Sequence, residues 1–200
     1  ESAHLKLLGK EAPVITKDGI QFRDLNKNGA LDIYEDTRAD TDSRVNDLLR
    51  QMNLEEKAGL MFITMAGMGS DGSLSNKKAV FEPMSFFFES NASMVAKKKM
   101  NHFNTVQSLE PEAMISWNNN IQKLAEKTRL GIPVTIATDP RHGVPNAPGA
   151  SIYTPYFSKW CSPTGFGAIR DTVLMREFGD IARQEYLALG FKLSLSPMAD

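Results

Sequence analysis

The fold is indicated most clearly by the stretch PVTIATDPRHG, residues 133–143. Residues 133–138 are mostly β-branched or small, and such a short run before a turn favours a buried strand. The strand ends at the carboxylate of Asp139, and a polar turn follows it. Since ligands of α/β folds bind beyond the carboxyl ends of parallel strands, Asp139, Arg141 and His142 are candidate substrate-binding residues. The alternative is that Asp139 only caps the turn.

Helical and extended patterns alternate on both sides of this stretch. Apolar residues at steps of three and four predict amphipathic helices, with Gly131 and Gly190 as their C-terminal stops. The predicted elements are strands at 60–65, 101–106, 133–139 and 191–195, helices at 111–128 and 174–189, and a loop at 140–163. This order is typical of a parallel α/β sheet.

The N-terminal region is less regular. Residues 1–41 are rich in Asp, Asn, Gly and Lys, and they are predicted to form an irregular lead segment. From about Ser43, apolar residues that begin with Val45 recur at helical spacing and predict an apolar helix face. Asn53 and Glu56 have the spacing of a capping box, which predicts a second short helix.

Composition and charge exclude several classes of protein. A hydrophobic content of 42% and a charged content of 24% are those of a globular chain. A net charge of -1 lacks the basic excess of a nucleic-acid binder, and no apolar run approaches the roughly 18 residues of a membrane span. Cys161 is the single cysteine, which excludes an internal disulfide and leaves the compartment open. No N-terminal signal-peptide pattern is present in these residues.

The stretch DLNKNGALDIYE, residues 24–35, fits the calcium-loop pattern D-x-[DN]-x-[DN]-G-x5-E at every constrained position. Calcium takes six to eight hard oxygen ligands, and alternate residues of a tight loop point inward. The candidate ligands are Asp24, Asn26, Asn28, the carbonyl of Ala30, Asp32 and Glu35. A single loop favours a structural Ca²⁺ over a sensor. The alternative is a polar turn without a metal.

Three further features have competing interpretations. GMGSDG, residues 67–72, matches the glycine spacing of a dinucleotide loop, but no amphipathic helix pattern follows it. We therefore interpret it as a glycine-rich connection and expect no organic cofactor. His102 is interpreted as a structural histidine. Trp160 either packs in the protein or stacks on a sugar.

Several blocks together resemble glycoside hydrolase family 3, in particular bacterial β-glucosidases. RVNDLL at 44–49 and MNLEEK at 52–57 resemble the opening helix pattern RVxDLLxxMTLEEK of that family. LGIP at 130–133 and DPRHG at 139–143 resemble its LGIPxxxxxDxxHG block. Residues 166–200 resemble the segment of that family in which a helix leads to a strand ending in SPxxD. The DLNKNG loop also occurs in a subset of these enzymes, and the similarity covers most of residues 20–200.

The resemblance implies a (β/α)8 barrel with its active site at the carboxyl ends of the strands, followed by an α/β sandwich domain. It implies an exo-acting, retaining enzyme with a carboxylate nucleophile and a carboxylic acid/base. Asp139 would bind hydroxyls of a terminal β-linked sugar, and Arg141 and His142 would shape the pocket. The substrate would be a β-linked oligosaccharide or glucoside.

The sequence also departs from the family pattern. It has fewer strand–helix units than the eight of a barrel, and Cys161 stands where the family often has Pro. The arginine of the PRWGR motif, the Lys-His pair and the nucleophilic aspartate are all expected after Asp200. We therefore expect an incomplete barrel over residues 42–200, preceded by the lead segment 1–41, with no catalytic residue in this chain and no activity by itself.

Two alternatives to a glycosidase follow from the calcium-type loop and from the glycine-rich stretch 67–72. One is a non-catalytic, calcium-stabilised carbohydrate-binding module, and the other is a nucleotide-dependent enzyme. The partners expected for the glycosidase are its sugar substrate and the remainder of the parent enzyme, without nucleic acid or membrane. The expected location is the bacterial periplasm or the medium.

Overall fold

A two-stranded and a four-stranded sheet organise the protein. The computed structural model describes residues 8–76, 89–105, 107–143 and 154–196. The elements are β1 (Val14–Lys17), β2 (Ile20–Arg23), α1 (Thr41–Gln51), α2 (Leu54–Leu60), β3 (Ile63–Met65), a π-helix (Ser93–Lys97), β4 (His102–Thr105), α3 (Pro111–Glu126), β5 (Thr135–Thr138), α4 (Pro163–Ile169), α5 (Thr172–Leu189) and β6 (Leu193–Ser194).

The larger sheet has the strand order β3-β4-β5-β6, and all of its neighbouring strands are parallel. The predicted α/β class with a parallel sheet is therefore confirmed. The strands lie side by side in chain order, without the reversal that marks a doubly wound sheet. A sequential parallel order with helical connections is consistent with part of a (β/α)8 barrel.

The core lies between this sheet and helix α3. Phe103 of β4 and Ile136 of β5 pack in one cluster with Met114, Trp117 and Ile121 of α3, and all five side chains are essentially inaccessible to water. Each large apolar side chain buried in this way contributes roughly 1.5–3 kcal/mol. The helical spacing that predicted a helix at 111–128 is thus, over Pro111–Glu126, the spacing of the face that covers the strands.

The prediction of an irregular lead segment was wrong, because residues 1–41 contain the antiparallel hairpin β1–β2. Its turn is formed by Asp18 and Gly19, with φ angles of 54° and 75°. Two central residues with positive φ match the right-handed twist of the flanking strands, and Asp-Gly is a favoured pair there. The signal was present in the sequence, but the flanking strands are short.

The predicted buried strand at 60–65 and the predicted apolar face of α1 are both more exposed than expected. Leu60 ends α2, so the strand begins only at Ile63, and Phe62 and Ile63 are 62% and 48% exposed. Among the described strands, β3 has a single neighbour, β4. On α1, whose spacing predicts an apolar face, no residue is buried.

The C-terminal helices follow their capping signals. Helix α5 covers the predicted span, with Asp171 as N-cap and Gly190 at φ 85° as its left-handed stop. Helix α4 was not predicted, although Ser162 caps it and Pro163 occupies its first position. Helix α3 ends at Glu126, so the prediction that Gly131 terminates it was wrong.

Some predictions lie outside the described residues. These include part of the predicted 140–163 loop, at 144–153, the end of the predicted 101–106 strand at Val106, and the SPxxD terminus at 197–200. Among the helices in the described ranges, none combines the length and the apolar character that crossing a membrane requires.

Candidate functional site

The candidate site lies at the carboxyl ends of β4 and β5. Phe103 is buried in the core under α3, so the neighbouring Asn104 lies on the opposite face of the sheet. Asn104 is aligned with Ala137 of β5, which brings it beside Asp139, just after that strand. The amide Nδ2 of Asn104 donates a hydrogen bond to Oδ2 of Asp139 across 2.8 Å. Asp139 is half-buried and Asn104 is 8% exposed.

Arg141 ties the ends of the two strands together from a fully buried position. Its guanidinium donates to acceptors on both strand ends. These are Thr105 O at 2.6 Å, Gln107 O at 3.0 Å, Ser108 Oγ at 2.5 Å and Thr138 Oγ1 at 2.6 Å. Its planar fork also lies over the rings of Phe157 and Phe191.

Burial lowers the pKa of Arg141 to about 10, although Tyr186 and Asp139 act in the opposite direction. The group therefore stays charged at neutral pH. Because its donors are taken by protein acceptors, Arg141 fixes the geometry around Asp139, and this structure gives it no exposed surface for a sugar. Direct contact between Arg141 and the substrate stays a prediction from the sequence.

His142 is also buried, at 6% exposure. Its Nε2 lies 2.7 Å from Oε2 of Glu185 on α5, and the ring makes edge contacts with Phe157, Phe178 and Tyr186. His142 thus fastens the turn after Asp139 to helix α5. Like Arg141, His142 was predicted to bind substrate. The structure buries it beneath the turn that follows Asp139, among aromatic side chains.

Glu185 also contacts a second part of the connection that follows β5. Its Oε2 also accepts a hydrogen bond from the backbone N of Ser158 at 3.1 Å. Burial alone would raise the pKa of Glu185, but the hydrogen bonds from His142 and Ser158 together hold it below its usual value. Neither Glu185 nor Asn104 was among the predicted site residues. For Asn104, the sequence signal was a polar residue inside a predicted strand. For Glu185, the only signal was its position on a predicted helix.

The ends of the calcium-type loop are buried and closed by backbone hydrogen bonds. The carboxylate of Asp24 accepts from Asn28 N at 3.1 Å and Gly29 N at 2.9 Å. Oε1 of Glu35 accepts from Leu25 N at 2.6 Å. Asp24 and Glu35 are 2% and 4% exposed. Both carboxylates therefore satisfy N–H groups of the loop itself.

The middle of the loop is closed in the same way. The amides of Asn26 and Asn28 donate to Oδ2 of Asp32 at 2.6 Å and 2.7 Å, and Oδ1 of Asn28 accepts from Ala30 N at 2.7 Å. In the described part of the chain, no three His, Cys, Asp or Glu side chains are grouped to hold a metal. The oxygens have the right chemistry for Ca²⁺, but in this arrangement they are bonded to N–H groups.

The loop also anchors the lead segment. Nζ of Lys27 donates to the carbonyls of Glu126 and Thr128 at 2.5 Å and 2.7 Å, at the C-terminal end of α3. A cation is favourable there because the last carbonyls of a helix carry negative partial charge. Burial lowers the pKa of Lys27, and the nearby carboxylates of Glu126, Asp24 and Glu35 oppose that shift.

The glycine-rich stretch 67–72 forms a closed turn. Gly69 N donates to Ser73 O, and Gly72 N donates to Gly69 O, both at 2.9 Å. Gly72 has a φ of 79°, and a Cβ there would lie 2.5 Å from the carbonyl oxygen of Ala113 in α3. These glycines thus have local reasons in turn geometry and close packing, which supports a connection over a nucleotide cradle.

Trp160 packs against other aromatic side chains, and the structural role predicted for His102 stays a prediction. Trp160 packs on Phe166 and Phe178 and donates from Nε1 to Ser158 Oγ at 2.9 Å, so it belongs to the aromatic cluster around α4 and α5. His102 lies on β4, half-buried, and its buried Nδ1 has no hydrogen-bond partner among the described residues.

The chain is similar to known glycosidases. Residues 74–200 match the model of the glycosyl hydrolase family 3 N-terminal domain. The chain is 42% identical over 190 residues to the periplasmic beta-glucosidase/beta-xylosidase of Dickeya chrysanthemi, covering 94% of this chain and 28% of that protein. It is 39% identical over 180 residues to beta-glucosidase C of Emericella nidulans, covering 88% of this chain and 27% of that protein.

A more distant relative is the putative beta-xylosidase of Formosa agariphila, 27% identical over 172 residues, with 84% of this chain and 20% of that protein covered. The chain spans about a quarter of the length of the curated relatives it matches. The family match covers more than half of the chain, and the parallel sheet with Asp139 at its carboxyl edge has the expected architecture. This chain therefore belongs to glycoside hydrolase family 3.

Proposed function

We propose that this chain forms the first part of a retaining, exo-acting β-glycosidase that removes a terminal β-linked sugar from an oligosaccharide or glucoside. The observation that carries the proposal is the placement of Asp139. Its half-buried carboxylate stands at the carboxyl edge of the parallel sheet, held by Asn104. The names of the relatives, beta-glucosidase and beta-xylosidase, support the substrate class.

In this proposal Asp139 binds the sugar. A carboxylate oxygen that accepts from a hydroxyl forms a charge-assisted hydrogen bond, which is stronger than a neutral one. Such a bond accelerates the reaction only to the extent that it strengthens toward the transition state. Arg141 and His142 keep the turn that carries Asp139 in place from behind, through the contacts described above.

The remainder of the parent enzyme supplies the reacting carboxylates. A carboxylate nucleophile attacks the anomeric carbon while a carboxylic acid protonates the departing glycosidic oxygen, so that a glycosyl-enzyme forms. Water then attacks the same carbon, the former acid takes the water's proton, and the sugar leaves with its β configuration retained. In this proposal residues 42–200 are the first strands and helices of the (β/α)8 barrel, and the chain alone is inactive.

We also propose that residues 24–35 hold a structural Ca²⁺ and that the protein works in the periplasm or outside the cell. The oxygen donors at calcium-loop spacing support the ion. To bind it, Glu35 and Asp32 would exchange hydrogen bonds within the loop for metal contacts. The periplasmic relative supports the location. No observation favours a calcium-stabilised carbohydrate-binding module in place of a hydrolase.

The test is hydrolysis by the full-length protein that contains this chain. Aryl β-glucosides and β-xylosides should be cleaved, and proton NMR during the first turnovers should show the β anomer of the released sugar before mutarotation. The 200-residue chain alone should release no aryl alcohol. Absence of turnover on both substrate types by the folded full-length protein, or release of the α anomer first, would contradict the proposal.

A further inference from the structure

We propose that Asn104 is a positioning residue for Asp139: its amide holds one carboxylate oxygen so that the other faces the sugar. This inference rests on the proposed function and adds a residue to the same site. Asn104 was not a predicted site residue, and it lies 35 positions from Asp139 in the chain. The parallel alignment of β4 and β5 brings the two side chains together.

The geometry assigns the orientation of the amide. A carboxylate only accepts hydrogen bonds, so the group that lies 2.8 Å from Oδ2 of Asp139 must be the donor Nδ2 of Asn104. The reversed amide would place two acceptors against each other. The carboxylate of Asp139 therefore fixes which end of the Asn104 amide faces it.

The other end of the amide is not used in hydrogen bonding by the part of the chain that the structure describes. Oδ1 of Asn104 is buried and has no hydrogen-bond partner among the described residues. An unpaired buried acceptor costs about 1–3 kcal/mol, so this position is unfavourable for folding alone. A small apolar residue would avoid that cost on a strand whose neighbour in register is Ala137.

The backbone supports the same assignment. The carbonyl of Asn104 accepts from Ala66 N at 2.9 Å, just beyond β3, so the residue is held by its neighbours on both sides. A rigid strand residue positions a partner more accurately than a loop residue does. Asp139 itself lies beyond the end of β5, where it depends on such a contact for its orientation.

The experiment is a double-mutant cycle in the full-length protein, with an aryl β-glucoside as substrate. Asn104→Ala should lower kcat/KM by about 10- to 100-fold, the range for a hydrogen bond to a charged group. In an Asp139→Ala background the same change should alter kcat/KM by less than about twofold, because the group that it positions is gone. Equal losses in both backgrounds would overturn the proposal.

The control is Asn101→Ala. Asn101 is similarly buried, at 7%, and precedes the same strand, but its amide donates to the carbonyl of Ile132, away from Asp139. It should lower the melting temperature while leaving kcat/KM near the wild-type value. A loss of kcat/KM as large as that of Asn104→Ala would show that any weakening of β4 has this effect, and would overturn the proposal.

Asn104→Asp tests the role by the pH dependence of kcat/KM, which a loss of packing alone would not change. The substitution keeps the shape, but two carboxylates would face each other at neutral pH, and they share a proton at acidic pH. The ratio of variant to wild-type kcat/KM should therefore rise as the pH falls. Among the described residues, Arg141 and Tyr186 lie beside Asp139, and His102 is two positions before Asn104 on β4. Dividing by the wild-type rate removes the contribution that these groups make to both proteins. A ratio independent of pH would contradict the proposal.

The outcomes separate the two levels of inference. If the wild-type protein hydrolyses no β-glycoside, the proposed function fails and Asn104 has no such role. If the wild type is active but Asp139→Ala retains its full rate, Asp139 lies outside the site and the positioning role of Asn104 is wrong. If Asp139→Ala is impaired but Asn104→Ala is not, the function stands and the positioning role is wrong.

Discussion

Nε2 of His142 lies 2.7 Å from Oε2 of Glu185, and this contact joins the turn after Asp139 to helix α5. A carboxylate accepts, so Nε2 carries the proton in this contact. The same carboxylate oxygen also accepts from the backbone N of Ser158. One side chain on a helix thus holds two separate parts of the long connection that follows β5.

Glu185→Gln should destabilise the folded protein at neutral pH by about 1.5–3 kcal/mol, the range for hydrogen bonds to charged groups. The folded-state pKa of Glu185 lies below its ordinary value of 4.5. Its ionised form therefore contributes stability above pH 4.5, and this contribution is lost as the pH falls through the folded-state pKa. Urea unfolding at pH 7 and pH 3.5 measures the difference. The exposed Glu177→Gln on the same helix is the control, and an equal effect of the two variants would contradict the prediction.

Asp139→Asn should lower kcat/KM of the full-length protein by about 100- to 1000-fold, as expected for losing hydrogen bonds to a charged group. The melting temperature should change little, because the new carbonyl can still accept from Asn104. Steady-state kinetics and a thermal melt on the same sample measure both effects. A rate equal to that of the wild type would remove Asp139 from the site.

Ca²⁺ should raise the melting temperature and EDTA should lower it, if the 24–35 loop binds the ion. Ligand at 100 times its dissociation constant adds about 2.7 kcal/mol of stability, which corresponds to several degrees for a domain of this size. Glu35→Gln should abolish the response, whereas the exposed Asp42→Asn should keep it. Superimposable melting curves in EDTA and in Ca²⁺ would identify the loop as a metal-free turn.

Arg141→Lys should destabilise the protein strongly even though it keeps the charge. A lysine ammonium is a point donor and cannot match the four acceptors that the buried guanidinium reaches. Buried groups left unpaired each cost about 1–3 kcal/mol. Chemical denaturation should give a loss of more than about 2 kcal/mol, against almost none for the exposed Arg183→Lys. A loss below 0.5 kcal/mol, the range of ordinary surface substitutions, would contradict this account.

Gly59→Ala and Gly179→Ala should have opposite signs, although both residues are helical. A Cβ on Gly59 would overlap the carbonyl of Lys99, with the carbonyl carbon at 2.6 Å, whereas a Cβ on Gly179 meets nothing within 4 Å. The second change should stabilise by about 0.5–1 kcal/mol through helix propensity. The first should destabilise by about 1–3 kcal/mol, as overpacking does. Thermal or urea unfolding decides, and stabilisation by Gly59→Ala would show that α2 can move away.

Much of the secondary structure follows from local signals. Helix α5 was predicted over residues 174–189 with Gly190 as its stop, because apolar spacing and a C-terminal glycine act over a few residues. The same signals were present for α4 and for the Asp18–Gly19 turn, but these elements are short and carry little periodicity. The exposure of Phe62 could not be predicted, because an apolar run does not indicate how much of it the rest of the fold covers.

The sequence by itself determined the alternation of strands and helices, the family, and the carboxylate of Asp139 at a strand end. These depend on spacing within a few residues and on ordered motifs. Only the tertiary structure decided that Asn104 holds Asp139 and that Arg141 and His142 lie behind it. Those relationships arise from the register of β4 against β5 and from the packing of α5, which join residues 35 and 43 positions apart. No local pattern specifies such distant pairs, because their contact is fixed by the burial and hydrogen bonding of the whole sheet.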